Sequence, residues 1–140
     1  MAECLNHSGE VFDPVRRKWV ALTPEEGVRQ AVIQYLHEEK KYPYELMHVE
    51  GCITLNGMSK RCDVVVYDVE MKPKMIVECK RADVAITQKV ADQACRYNTV
   101  LRVPWLLLTN GKQSLMLKVT EESTLQQVAE ISEWMELQKP

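Results

Sequence analysis

Apolar residues in this chain come in short runs ended by polar or turn-forming positions, and two of the densest runs carry charge at their ends. Arg61-Cys62-Asp63-Val64-Val65-Val66-Tyr67 and Met75-Ile76-Val77-Glu78-Cys79-Lys80 have the β-branched content of strands. The polar link at 68–73 suits a hairpin connection. Pairing Val65 with Ile76 places Asp63 directly opposite Glu78, with β-carbons about 4.5–5.5 Å apart. Two carboxylates at about 5 Å repel by roughly 3 kcal/mol at an effective dielectric near 20. Such a pair calls for a cation. Lys80, on the face of Glu78 by strand alternation, is one candidate and a divalent metal is another.

The remaining pattern supplies the elements around this hairpin. Thr23-Pro24-Glu25-Glu26 starts a helix, with Thr23 as N-cap, Pro24 at the first helical position and Glu26 in the reciprocal place of a capping box. A stripe of Val28, Ala31, Val32, Tyr35 and Leu36 carries that helix to about Glu39. Glu25 extends the stripe and is the acid that this geometry aims at a cleft, while Glu26 serves the cap. First-turn acids complementing the helix dipole is the plainer account of both. Leu46 to Leu55 reads as a strand, and Asn56-Gly57 is a strong hairpin turn. Without a bulge that hairpin sets Glu50 against Asp63, so that Glu50, Asp63 and Glu78 form a row. A bulge at Gly51 would shift the register by one.

A second helix is expected from about Thr87 to Leu101, with Ile86, Val90, Ala94, Tyr97 and Leu101 inward and Gln93 one turn before Tyr97. Trp105–Thr109 is a buried strand by its continuous apolar run, Asn110-Gly111 a turn, and Ser114–Val119 another strand. Ser123 or Thr124 caps a last helix through Leu125, Val128, Ile131 and Met135. The result is an α/β fold with helices flanking a mixed sheet. One domain over 1–140 is expected, made of an arm (1–22), a core (23–119) and a C-terminal helix (123–138). In the arm, Val11 to Leu22 suggests a small hairpin around Pro14, with Arg16-Arg17-Lys18 as a solvated turn.

Composition narrows the class. The 140 residues are 46% hydrophobic and 27% charged, which are globular values. A net charge of −2 gives no global attraction to nucleic acid or anionic membrane, so any DNA contact must come from a local patch. Lys60, Arg61, Lys72, Lys74, Arg81, Lys89 and Arg96 flank the acidic hairpin and could meet backbone phosphates. No apolar run approaches the roughly 20 residues of a membrane span, and no signal pattern opens the chain. A cytoplasmic protein without membrane contact is expected. Five cysteines without CxxC spacing suggest neither a zinc site nor a disulfide framework, and Cys52, Cys62 and Cys79 read as small buried residues. His7, His37 and His48 lack metal or triad spacing.

Two carboxylates and a backbone carbonyl such as that of Cys79 make a hard oxygen site suited to Mg²⁺. Such an ion activates water and stabilises charge on an attacked phosphoryl group, and a neighbouring lysine complements it. Asp63…Glu78-Cys79-Lys80 resembles the PD-(D/E)XK nuclease motif. The wider pattern resembles the N-terminal nuclease domain of type I restriction enzyme R subunits, through residues 24–30, 60–67, 76–81, 93–98 and 108–111.

The resemblance implies a restriction-endonuclease-like αβββαβ core and a DNA endonuclease dependent on Mg²⁺ or Mn²⁺. It implies Asp63 and Glu78 as metal ligands with Cys79, Lys80 as catalytic, Glu25 as the first-helix acid, and Gln93 with Tyr97 as the supporting Gln-x-x-x-Tyr element. Cys62 stands where the motif has proline. It also implies partners: DNA, and helicase-motor, methyltransferase or specificity subunits in trans, with a homo-oligomer as a further option. A catalytically silent DNA-binding or protein-interaction module is the alternative function. An ion-pair cluster at the sheet edge is the purely structural account of the acids.

Overall fold

The computed structural model describes residues 8–55, 57–120 and 125–139. Six strands form the central sheet: β3 (Met47–Val49), β6 (Val64–Tyr67), β7 (Pro73–Cys79), β8 (Trp105–Thr109), β9 (Ser114–Val119) and β10 (Leu125–Val128), in the order β10-β9-β8-β7-β6-β3. All neighbours are antiparallel except β7 and β8, which are parallel. That parallel pair is joined through helix α2 (Gln88–Leu101), as a parallel connection requires. The fold is α/β with a mixed sheet, and the α1–β3–β6–β7–α2–β8 succession is the expected αβββαβ core, α1 being the helix Pro24–Lys40.

Alternation along the strands divides the core into two layers. Val64, Val66, Met75, Val77 and Leu107 face the layer that holds Val32, Ile33 and Leu36 of α1. Val65, Ile76, Leu106 and Leu108 face the layer holding Ala91, Cys95 and Leu101 of α2. Central strands buried on both faces explain the uninterrupted apolar runs of β6 and β8. Each fully buried Val, Leu or Ile contributes about 1.5–3 kcal/mol.

Helix α1 starts as the sequence indicates, with Thr23 Oγ1 accepting from the Glu26 N–H at 3.1 Å and Pro24 in the first turn. Its buried face keeps Val28, Val32 and Leu36 of the apolar stripe but is turned away from the rest of it. Glu26, Arg29, Gln30 and Ile33 turn inward, whereas Ala31 is exposed and Tyr35 is 39% exposed. The helix is rotated because Glu26, Arg29 and Gln30 find charged partners inside, which outweighs covering Tyr35. Burying charge is tolerable only when it is paired.

Val65 pairs with Ile76, as expected, and Val64 with Val77. The strand expected from Leu46 to Leu55 is broken in two. β3 stays in the sheet, while β4 (Cys52–Leu55) pairs only with β5 (Met58–Arg61) in a separate ribbon. The break falls at Glu50, whose φ of +57° is left-handed, and at Gly51. No register shift accompanies it. Val49 faces Val64, the Glu50 N–H donates to the Asp63 carbonyl at 2.9 Å, and the Cys62 N–H donates to the Gly51 carbonyl at 2.8 Å. Cys52 then faces Arg61. Asn56, the first residue of the Asn-Gly turn, lies outside the described residues. Cys62 and Cys95 are buried, Cys79 is half-buried and Cys52 is exposed, correcting its expected burial.

The C-terminal region departs most from expectation. Instead of one helix over 123–138, Leu125–Val128 forms β10 against β9, and only Trp134–Leu137 (α3) is helical. Without β10, strand β9 would present an unpaired edge, a strong template for any following segment. The expected caps Ser123 and Thr124 lie outside the described residues. Leu137 is buried in the α1 layer, and Val128, Ile131 and Trp134 pack on it. In the arm, β1 (Glu10–Asp13) and β2 (Lys18–Ala21) form the expected hairpin, with Phe12 and Trp19 edge-to-face at 5.5 Å.

Candidate active site

The register of β6 and β7 brings Asp63 and Glu78 to the same end of the sheet, each anchored differently. Asp63 Oδ2 accepts from the Cys79 N–H at 2.8 Å, so the backbone of β7 fixes its carboxylate. Asp63 Oδ1 accepts from Arg29 Nη2 at 3.2 Å. Glu78 Oε1 accepts from Lys60 Nζ, of β5, at 2.7 Å. Burial pushes the Glu78 carboxyl above its usual range; Lys60 opposes that push and the charge of Asp63 adds to it. Burial also works against the Lys60 ammonium, yet the hydrogen bond and charge of Glu78 hold it above the ordinary lysine value. The Cys79 thiol is driven up by burial and is a neutral sulfhydryl, so only its backbone has polar chemistry to offer here.

Beside Glu78 lies a cleft of about 100 Å³ lined by Lys60, Glu78, Lys80, Val90, Gln93 and Ala94. The structure therefore brings Glu78, Lys80 and Gln93 together from β7 and α2, as the sequence suggested. Lys80 is positioned by its backbone N–H, which donates to the Thr109 carbonyl at 2.8 Å. Tyr97 lies one turn beyond Gln93 on α2, and its side chain is outside the described residues.

On the α1 side of Asp63, two arginines weave through four acids. Arg29 Nη1 donates to Glu26 Oε1 at 3.1 Å and to Glu50 Oε1 at 3.3 Å, besides its bond to Asp63. Arg16 donates to Asp13, to Glu26 at 2.7 Å and to Glu50 at 3.2 Å. Glu26 Oε2 also accepts from Gln30 at 3.1 Å. Burial would raise the Asp13 carboxyl, but hydrogen bonds from the Arg16 side chain and the backbone N–H groups of Arg16 and Val15 hold it below its ordinary value.

Two expectations are corrected here. Glu25 is exposed and Glu26 is the inward acid, because α1 presents its charged face to the site. Arg16 is no solvated turn residue but the second cation of the network. Glu50, in turn, stands against Asp63 as the unbulged register required.

A family model described as type I restriction enzyme R protein N terminus (HSDR_N) matches residues 24–133. The chain belongs to that family. Among solved structures, a fragment assigned to the HsdR subunit of a type I restriction enzyme from Vibrio vulnificus YJ016 is similar, with TM-score 0.59 and 19% identity over 83% of this chain. The chain spans only 24% of that fragment. A cryoEM structure of a DrdV–DNA complex is similar at TM-score 0.50 and 15% identity, over 76% of this chain and 10% of the other. A third structure, assigned as a nuclease of the DUF820 group from Anabaena variabilis ATCC 29413, has 9% identity and TM-score 0.49 over 89% of this chain and 80% of its own. Among curated proteins, none matches. Family membership rests on the sequence match, and the first two solved structures add a likeness of fold.

Among the described residues, no three His, Cys, Asp or Glu side chains gather as a metal cluster. The carboxylates of Asp63 and Glu78 with the Cys79 carbonyl are all hard oxygens, and a Mg²⁺ site commonly has one or two carboxylates plus waters. Burial and the neighbouring acid both disfavour the Glu78 charge, a cost that a bound cation relieves. The residues fit such an ion, provided Lys60 yields Glu78. Among the described residues no helix is long and apolar enough to cross a membrane.

Proposed function

We propose that this domain is a divalent-metal-dependent DNA endonuclease that hydrolyses phosphodiester bonds. The observation that carries this reading is the placement of Asp63 and Glu78 at one end of the sheet, next to a cleft shared by Glu78, Lys80 and Gln93. Asp63, Glu78 and the Cys79 carbonyl would hold Mg²⁺ or Mn²⁺. When bound, such an ion lowers the pKa of water and neutralises charge on the attacked phosphoryl group. Asp63 is pre-oriented by the Cys79 N–H. Lys80 aligns the attacking water and stabilises negative charge developing on the phosphate oxygens.

Gln93 offers an amide donor to the substrate backbone, and Tyr97 supports it on the strength of the motif. The first-helix acid of the motif is Glu26, in place of Glu25, and it acts through Arg29, which it shares with Asp63. The likeness to a protein solved with DNA supports DNA as substrate. Translocation, methylation and sequence recognition would fall to other segments or subunits.

The test is a nicking assay with Mg²⁺ and Mn²⁺ on duplex, single-stranded and branched DNA, with Asp63→Ala and Lys80→Ala as controls. Metal-dependent cleavage lost in both variants supports the reading, and activity intact in both sinks it. One observation favours a second reading, a catalytically silent DNA-binding or protein-interaction module. Lys60 and Arg29 already neutralise Glu78 and Asp63 without metal. Calorimetric titration separates the two, since the silent module takes up neither cation at millimolar concentration.

A further inference from the structure

The cleft beside Glu78 contains a second lysine that the Glu-x-Lys arrangement leaves unassigned. Lys80 belongs to the end of β7, whereas Lys60 enters from the β4–β5 ribbon. Its ammonium is 2.7 Å from Glu78 Oε1, and the two side chains are 20% and 13% exposed. Besides Glu78, the residues lining the cleft are Lys60, Lys80 and Gln93, with Val90 and Ala94 as its apolar part. With Glu78 ionised, the lining charge is +1. A divalent cation on Glu78 would make the cleft strongly positive, a setting for an anion.

Lys60 and such a cation also compete for the same carboxylate. The root of Lys60 is held by the backbone, through the Cys62 N–H to Gly51 carbonyl bond at 2.8 Å. Its four-carbon stem lets the ammonium relocate without moving the ribbon.

We propose that Lys60 is a phosphate-binding residue of this site. It pairs with Glu78 in the metal-free chain and passes to a non-bridging phosphate oxygen of the DNA backbone when a divalent cation takes Glu78. The inference rests on the metal-dependent DNA reading above. It adds a substrate contact and makes that contact conditional on metal. Lys60 thus does two tasks in sequence: it neutralises a buried acid before loading and grips substrate after it.

The experiment measures binding of a labelled DNA duplex by fluorescence anisotropy over a salt series, in EDTA and in Mg²⁺, with Lys80→Ala as background to prevent cleavage. Comparison is between Lys60 intact, Lys60→Met and Lys60→Arg. In Mg²⁺, Lys60→Met should weaken binding about tenfold and flatten the slope of log affinity against log salt by about 0.9, the loss of one phosphate contact. In EDTA the slope should not change, and Lys60→Arg should keep the slope in both. Lys60→Met should also bind Mn²⁺ more tightly by calorimetry, having lost the competitor for Glu78.

A slope unchanged in Mg²⁺, or weaker Mn²⁺ binding by folded Lys60→Met, overturns the proposal. Should Lys60→Met not fold, amine acetylation of the Lys80→Ala chain with Lys60 intact, read by mass spectrometry, decides. Lys60 should become more reactive on adding Mg²⁺ and protected on adding DNA, and no protection by DNA refutes its role. Failure of the underlying reading looks different, because the unsubstituted chain would then bind no metal at all.

Discussion

Replacing Arg29 with methionine removes the cation that Glu26, Glu50 and Asp63 share while keeping most of the side-chain volume. Arg29 is 11% exposed, Glu26 9%, Asp63 25% and Glu50 38%. The contact to half-open Glu50 is screened by solvent and contributes little. The contact to Glu26 is the opposite case, since losing one partner of a buried pair leaves the other charged in a poorly solvated place. That costs about 3–5 kcal/mol. Arg16 still reaches Glu26 at 2.7 Å, which places the expected loss near the lower end, about 3 kcal/mol. Against a total stability of about 5–15 kcal/mol, this is a large fraction.

Urea unfolding of both proteins at neutral pH measures it, with the slopes compared so that a changed denatured state is not mistaken for lost stability. Adding Glu26→Gln to Arg29→Met should recover part of the loss, because the stranded charge goes with it, and the double-mutant cycle reports the coupling. A loss below about 1 kcal/mol with unchanged slope would mean that the network behaves as a surface cluster. The claim that it orients α1 would then fall.

Other outcomes follow from individual residues. Asp13 has its carboxyl held below the ordinary 3.8, so its stabilisation is complete above that value and is lost as pH falls through the folded-state pKa; Asp13→Asn should flatten acid unfolding in that window, and an unchanged acid transition contradicts it. Glu78 has its carboxyl raised above 4.5, so protons compete with metal at higher pH than for an ordinary glutamate. Mn²⁺ affinity measured by calorimetry should therefore keep rising with pH above 4.5, and a plateau at that value speaks against Glu78 as a ligand. Glu25→Ala should change stability by no more than about 0.5 kcal/mol, whereas Glu26→Ala should cost several times that and lower cleavage; equal effects in thermal melts would undo the reassignment of the first-helix acid.

The parts legible in the sequence were those governed by short-range pattern. Alternation and β-branched content located β6 and β7; the pairing of Val65 with Ile76 was enough to set Asp63 beside Glu78, and the Asn56-Gly57 turn to set Glu50 beside Asp63. Thr23 marked the start of α1 because capping is a local bond, and the structure caps α2 likewise at Thr87. Elements governed by distant partners were not legible. The rotation of α1 depends on Arg29 meeting Asp63, 34 positions away, and an apolar count gives no weight to a buried arginine. Arg16 looked like part of a basic surface run because two of the acids it meets, Glu26 and Glu50, come from other elements, 10 and 34 positions away. Residues 125–128 carry helix-compatible spacing, and only the open edge of β9 makes them a strand. Lys60 was legible as a flanking cation but not as the partner of Glu78, since that contact depends on how the ribbon leans over the sheet's end.

The unbroken register across the kink at Glu50 and Gly51 has a consequence for how this domain can diversify. Lys60 is placed by counting back from Asp63, through paired backbone at Cys62 and Gly51, and not by counting from the tip of the ribbon. Adding or removing whole pairs beyond Thr54 and Ser59 changes the reach of the ribbon without moving Lys60, Asp63 or any strand of the sheet. An odd insertion between Lys60 and Asp63 would instead turn Lys60 to the other face. The ribbon is thus an adjustable arm on a fixed mount: its length can be set by whatever it must touch, while the chemistry at its base stays where the sheet holds it.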